Sequence, residues 1–575
     1  NPAIPLTELN LRLVTGNQPW PDDRSRLIGG VSSFGMGGTN CHLVLAEAPV
    51  VAEQRSVAPA LPWLLSAKSA SALRAQAGRL HDAASTDAAP SPAALALSLA
   101  RSRTVFGHRA VVPAGSLSGL RNLADGVVDP GVVTGTAAAA EGCVLVFPGQ
   151  GSQWPAMARA LLAESPEFAD RLTACACALD ELVDYSLLDV LRGVPGAADF
   201  DRVDVVQPAL WAIMTTLAGL WQDRGVRPAA VIGHSQGEIA AATAIGALSL
   251  SDGARVVALR SRAIAAVAGA GGMLSVAGPA DEVLAAVREH APRSGIAAVN
   301  GPRSTVVSGP SPELAELQLQ LTVAGYRTKL LPVDYASHSA EMEQLRGEVL
   351  TNLAAVRPMS VPVTFLSTLV GEPIDTADLN ADYWYRSLRN PVRFADATRA
   401  ALAAGHRLFV ECSPHPVLVG AIGELAEELG QDAVALGSLR RDEGGPAQWD
   451  RALAEAWVAG APVRWEDAGP VPPAALVELP TYPFQRVRHW AGSVGQAAVA
   501  PSEATAPATS RRELKALVLA VTASVLGHAD PSAIAADQSF KDLGVDSTAG
   551  VELRKRLRDA TGLPLPSSLV FDHPT

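Results

Sequence analysis

Gly233-His234-Ser235-Gln236-Gly237 follows the apolar pair Val231-Ile232 and precedes the Ala-rich stretch Glu238 to Leu248, which reads as a helix. A serine on so tight a strand-to-helix turn presents its hydroxyl as a nucleophile and leaves an acyl oxyanion facing backbone N–H groups. The bare G-x-S-x-G pattern is expected about 0.3 times by chance in a chain of this length and composition, so its companions decide. Phe147-Pro148-Gly149-Gln150-Gly151-Ser152-Gln153-Trp154 follows the apolar run Val144-Leu145-Val146 and reads as a second strand end carrying a glycine-rich loop. Tyr335-Ala336-Ser337-His338-Ser339 supplies a histidine downstream. His338 is the expected base: a serine attacks a thioester poorly unless an imidazole takes its proton and then returns it to the leaving thiolate. The expected oxyanion donors are the backbone N–H groups of Gln236 and Gln150, where flanking glycines let the chain approach closely. His234, beside the nucleophile, is expected to point away and to have a structural role.

Arg260 sits among Val256, Val257, Ala258 and Leu259 on the helix expected to begin near Ser251-Asp252, an odd setting for a solvated charge. A guanidinium there can hold a carboxylate by two parallel hydrogen bonds. Arg262 is expected at the surface. A second chemical site is Asp546-Ser547, before a helical pattern near the end of the chain.

Together these motifs resemble modular type I polyketide synthases. Ser32-Ser33-Phe34-Gly35-Met36-Gly37-Gly38-Thr39-Asn40-Cys41-His42 resembles a ketosynthase end, the central motifs its acyltransferase, and Leu543-Gly544-Val545-Asp546-Ser547 an acyl carrier protein. The resemblance implies an α/β acyltransferase with a hydrolase-like parallel sheet and a ferredoxin-like subdomain, an α/β linker domain and an all-α carrier domain. It places the ketosynthase end at residues 1–46, the linker domain at 47–140 and the acyltransferase at 141–435 with a lid at about 272–333. A post-acyltransferase linker follows at 436–490, a flexible tether at 491–510 and the carrier at 511–575. His42 is read as structural, because the catalytic motifs of a ketosynthase are not in this sequence.

By the same resemblance a backbone carbonyl orients His338, Arg260 marks a malonyl-type rather than an acetyl-type transferase, and Ser547 carries a covalent 4'-phosphopantetheine. Thr548 stands where leucine is usual after that serine. Extender size is read from Gln207, Gln236, Tyr335 and Ser337. Malonyl-selective relatives have phenylalanine before the histidine and a branched aliphatic residue after the nucleophile, so Ser337 and Gln236 match the methylmalonyl pattern. The expected partners are methylmalonyl-CoA, the ketosynthase and neighbouring modules of the same synthase, and a phosphopantetheinyl transferase. Dimerisation is expected through a ketosynthase. A loading module making a propionyl starter by decarboxylation, malonyl-CoA as extender, and a serine hydrolase or thioesterase stay open as alternatives.

Composition agrees with this. The formal net charge of −12 argues against nucleic acid, whose binders present basic faces. Five cysteines, with Cys175-Ala-Cys177 at the wrong spacing for a redox pair or a zinc knuckle, give no disulfide framework or metal site, and a reducing cytoplasm is expected. No uninterrupted apolar run reaches bilayer-spanning length, so no membrane partner is expected. No G-x-G-x-x-G occurs, so reductive domains are not expected between acyltransferase and carrier. From Ser69 as N-cap, a helix is expected over Ala70 to His81. Leu43-Val44-Leu45 reads as a buried strand, the chain after Ser438 as irregular, and Leu514, Leu517 and Val521 as one face of the first carrier helix.

Overall fold

The computed structural model describes residues 4–16, 27–35, 38–46, 61–137, 142–269, 271–465, 476–486 and, with short interruptions, 511–573. The tether expected at 491–510, and Asp546, lie outside the described residues. The chain divides into two compact units. In the amino-terminal one, strands Ile28–Phe34 and Asn40–Ala46 pair as an antiparallel hairpin. The strand expected at Leu43-Val44-Leu45 forms, but its residues are exposed rather than buried. A two-stranded ribbon covers neither of its own faces.

The other unit is built around a six-stranded sheet. Its order is Glu372–Ile374, Thr364–Ser367, Pro228–Gly233, Cys143–Phe147, Leu408–Glu411, Val434–Gly437. All neighbours are parallel except the Glu372–Ile374 edge. The central strands are buried on both faces, which is why they read as unbroken apolar runs. On one face Val144, Val146, Ile232, Leu366 and Phe409 pack against Phe394 and Ala401 of helix Phe394–Ala403 and Ile422 and Leu425 of helix Val419–Glu428. Helix Val203–Asp223 is long and apolar enough to cross a bilayer by length and composition, contrary to the reading by uninterrupted runs. It is buried along nearly its whole length inside the unit, so its apolarity is that of a core helix.

The subdomain expected as a lid is a four-stranded antiparallel sheet, ordered Thr328–Leu330, Gly271–Val276, Ser304–Pro310, Gly295–Gly301. Helices Ala280–His290 and Ser311–Val323 bury Val283, Val287, Leu314 and Leu317 against Leu274, Val276 and Val307. Only Met273–Val276 and Thr305–Val307 are strand-like in sequence. Gly295–Gly301 escapes because register shifts against its partner break the alternation, and Thr328–Leu330 has only three residues.

Strands Trp63–Ala67, His108–Val112 and Val133–Thr136 form a further antiparallel sheet beside helices Ala70–Ala84, Pro92–Ser102 and Leu117–Asp125. Ser69 caps the first helix by accepting from the Ala72 N–H. Beyond Ser438 the chain is not irregular throughout: Pro446–Ala459 is a helix, with proline in its first turn and Gly460 in the left-handed conformation at its end. It packs on strand Val133–Thr136, where a Cβ at Gly135 would lie 2.9 Å from Val458. Arg109 donates to the Trp457 carbonyl at 2.6 Å. The later segment follows the same surface: Val477 N–H reaches Ser98 (2.8 Å), Arg103 the Pro480 carbonyl (2.8 Å) and Lys68 N–H the Tyr482 hydroxyl (3.0 Å).

In the segment expected as the carrier, helices Arg511–Val525, Ser547–Thr561 and Leu569–Asp572 enclose Leu553, Leu557 and Val570, with Leu517, Val518 and Val521 against them. Ser547 opens the second of these helices.

Candidate active site

The central strands Cys143–Phe147 and Pro228–Gly233 end side by side, Phe147 opposite Gly233. The glycine-rich loop and the Ser235 turn therefore leave the sheet together, at its carboxyl edge, where open parallel sheets place their ligands. Both glycines of the turn are required by space. A Cβ at Gly233 would lie 2.2 Å from the Glu238 nitrogen, and one at Gly237 2.0 Å from the Phe147 carbonyl oxygen. Ser235 itself has φ +54°, a strained left-handed conformation for a residue with a side chain. The helix after it is shorter than its Ala-rich sequence suggests, Gly237–Ala244.

Ser235 Oγ lies 2.8 Å from His338 Nε2. The histidine also has positive φ, +63°, and its backbone N–H donates to the Leu388 carbonyl at 2.9 Å. Its Nδ1 lies 2.9 Å from the Asn390 carbonyl oxygen, which can only accept. Nδ1 therefore carries the proton and leaves Nε2 free to take one from serine. Burial pushes the His338 pKa down to about 3, the nearby Arg260 charge adds to this, and the Asn390 bond opposes it. The group is thus neutral in the folded protein and protonated in the unfolded chain below about pH 6.5. Its contribution to stability is complete above that value and is lost as pH falls toward 3. The expected pH profile follows: kcat/KM for acylation shows no inflection near pH 6.5. An ordinary histidine would give a loss of about fourfold between pH 7.5 and 6.0, and such a loss in stopped-flow rates would contradict this placement of His338.

Gln236 N–H stands at the start of helix Gly237–Ala244 and Gln150 N–H in the facing loop; neither has an acceptor among the described residues. His234 turns away from the nucleophile, its Nε2 2.8 Å from Asn300 Oδ1 of strand Gly295–Gly301.

Arg260 lies on helix Leu250–Ala265, which Ser249 caps one residue earlier than the sequence suggests. It is 2% exposed, its Nη1 is 3.4 Å from Gln207 Oε1, and its Nε has no partner. Burial lowers its pKa to about 10, and no carboxylate is within ion-pairing distance among the described residues. A buried cation without an anion is costly unless a ligand supplies one. Arg262, by contrast, is exposed. Tyr335 donates its hydroxyl hydrogen to Gln150 Oε1, and Gln207 and the Arg260 charge oppose the rise of its pKa to about 12 caused by burial. Ser337 and Gln236 are buried, and both polar ends of the Gln236 amide are unpartnered. Of the segment Arg202–Gln207, only Gln207 reaches this cluster. Arg202 is engaged at the surface with Asp184 and Asp204, while Val205 and Val206 point into the core.

The backbone carbonyl expected to orient His338 is that of Asn390, which the sequence could not name because every residue has a carbonyl. One feature was missed. Glu238 is fully buried and accepts from Thr368, Tyr383 and Ser387. A charge directly before the apolar run Ile239-Ala240-Ala241-Ala242 is a signal of the kind that singled out Arg260.

Comparison with known proteins gives this arrangement a family. The acyl transferase domain profile matches residues 144–463, the ketoacyl-synthetase C-terminal extension 1–112 and the phosphopantetheine attachment site 516–575. The chain belongs to the modular polyketide synthases, as an acyltransferase followed by a carrier domain that holds phosphopantetheine covalently. It is 49% identical to polyketide synthase GfsB of Streptomyces halstedii over 84% of this chain, and 46% identical to mycoketide-CoA synthase of Mycobacterium tuberculosis over 85%. It spans only 9% and 12% of those two proteins. Among solved structures it resembles the acyltransferase domain of module 8 of the salinomycin synthase, with TM-score 0.68, 51% identity, and coverage of 70% of this chain and 97% of that one. A loading acyltransferase of the avermectin synthase gives TM-score 0.54 and 46% identity over 55% of this chain and all of that one.

Proposed function

We propose that Ser235, deprotonated by His338, takes a methylmalonyl group from CoA and passes it to the phosphopantetheine thiol on Ser547. The tetrahedral intermediates form against the Gln150 and Gln236 N–H groups. Arg260 holds the free carboxylate of the substrate. The observation that carries this reading is the buried, unpaired Arg260 beside the Ser235–His338 pair. In acylation His338 takes the Ser235 proton and gives it to the departing CoA thiolate; in transfer it takes the proton of the attacking pantetheine thiol and returns it to Ser235 Oγ as the acyl–oxygen bond breaks. The unpaired cation selects a carboxylated acyl group, and the fused carrier domain supplies the thiol acceptor that a thioesterase does without.

The preference for methylmalonyl rests on Ser337. A hydroxymethyl before His338, in place of the phenylalanine of malonyl-selective relatives, leaves room for an α-methyl group, with Tyr335, Gln207 and Gln236 lining the same region. One methyl is worth about 1 to 3 kcal/mol in a pocket, so selectivity is tens to a few hundredfold. Ser337→Phe with Tyr335→His is expected to move the kcat/KM ratio toward malonyl-CoA. A ratio that does not move, or a wild type that prefers malonyl-CoA, removes the size filter from these residues.

We further place the ketosynthase end, linker domain, acyltransferase, wrapping segment, tether and carrier at the boundaries given above, in a cytoplasmic module without reductive domains. Such a module leaves a β-ketone unreduced, is modified by a phosphopantetheinyl transferase and dimerises through a ketosynthase. A loading role is the second reading, favoured by the likeness to the avermectin loading acyltransferase. It changes the fate of the acyl group after transfer and leaves the chemistry at Ser235 unaltered.

A further inference from the structure

Ser235 and His338 come from segments 103 residues apart, and both stand in left-handed backbone conformations that L side chains rarely adopt. Something must hold the two segments in register. Glu238, three residues after the nucleophile and 0% exposed, links the nucleophile turn to the helix whose end holds His338. Its Oε1 accepts the Thr368 N–H at 2.7 Å. The Thr368 hydroxyl lies within reach of both that oxygen (3.0 Å) and the Gly233 carbonyl at the base of the turn (2.8 Å). Oε2 accepts from the Tyr383 hydroxyl at 3.0 Å and the Ser387 hydroxyl at 3.2 Å. Tyr383 and Ser387 are four residues apart, on one face of helix Ala381–Arg389. The far end of that helix supplies the Leu388 and Asn390 carbonyls that hold the backbone and ring of His338.

We infer that Glu238 is a positioning residue, the strut that fixes the nucleophile turn to the helix holding His338 and so sets the Ser235–His338 distance. The inference rests on the proposed roles of Ser235 and His338. No cation bonds to Glu238 among the described residues, and burial raises its pKa to about 7 against four opposing hydrogen bonds. Its charge also favours the Arg260 cation, with no ion pair between them, and its bonds are the hydrogen bonds from Thr368, Tyr383 and Ser387. Glutamine can make the same set, since its carbonyl accepts from Thr368 and its NH2 donates to the Tyr383 and Ser387 oxygens, leaving the Tyr383 hydroxyl to donate to Ser367 Oγ, 2.6 Å away.

The test is the rate of acyl-Ser235 formation from methylmalonyl-CoA by the whole chain, measured with its half-saturating concentration. Glu238→Ala is expected to lose about 10²-fold in maximal rate, the scale of a 1 Å misplacement, with half-saturation unchanged. Glu238→Gln is expected to recover most of that loss. A Glu238→Ala protein with full maximal rate, or a Glu238→Gln protein no better than Glu238→Ala, overturns the inference. Should Glu238→Ala not fold, Tyr383→Phe combined with Ser387→Ala takes its place: the same loss in maximal rate supports the strut and an unchanged rate overturns it. Wild type must label at Ser235 and Ser235→Ala must not. If that control fails, the reading of the dyad falls rather than the strut alone.

Discussion

Ser235→Ala is expected to abolish acyl-enzyme formation and all transfer from CoA to the carrier. No other described hydroxyl combines a tight turn with an unprotonated imidazole nitrogen at 2.8 Å. Ser339, which directly follows His338, already donates to the Ala336 carbonyl at 2.7 Å. His338→Ala keeps the nucleophile but removes its proton acceptor, so a loss of at least ~10²-fold in acylation rate is expected with the fold intact. The two losses should not add in the double variant, because serine and histidine act as a unit. Acylation rates from rapid-quench mass spectrometry check this. A His338→Ala protein that acylates within a few-fold of wild type would remove the base from the mechanism.

Arg260→Ala is expected to have the next largest effect. Without the guanidinium the carboxylate of methylmalonyl-CoA enters a buried site with no partner, which typically costs ~2 to 5 kcal/mol, about 30-fold to several thousandfold in kcat/KM. Propionyl-CoA, which has no carboxylate, is spared that loss. It also escapes the wild-type penalty of leaving Arg260 unpaired. The ratio of carboxylated to uncarboxylated substrates should therefore collapse while melting temperature holds or rises, since a buried unpaired cation is gone. Retained preference for carboxylated acyl-CoAs would make Arg260 structural.

What was legible in the sequence was chemistry set by local backbone demands. Gly233 and Gly237 are fixed by approaches of about 2 Å that no Cβ tolerates, and the helix cap at Ser69 is local too. Arg260 stood out because a charge in an apolar helix needs a reason. What stayed hidden was assembled at long range. The Asn390 carbonyl reaches His338 across 52 residues, and the Glu238 network spans 130 to 149. Nothing near Glu238 in sequence names Thr368, Tyr383 or Ser387 as its partners. Strand Gly295–Gly301 was hidden by its register shifts, and the exposure of Leu43 to Leu45 by reading a continuous apolar run as buried, which assumes a covering layer.

The most direct test of the acyl relay is time-resolved intact-mass and peptide-mapping analysis of the chain, bearing phosphopantetheine on Ser547, after mixing with methylmalonyl-CoA. The account predicts a methylmalonyl mass on Ser235 first and on the Ser547 arm second, with both absent in Ser235→Ala. A methylmalonyl group reaching Ser547 at the wild-type rate in Ser235→Ala, or leaving Ser235 only as free acid, would contradict it.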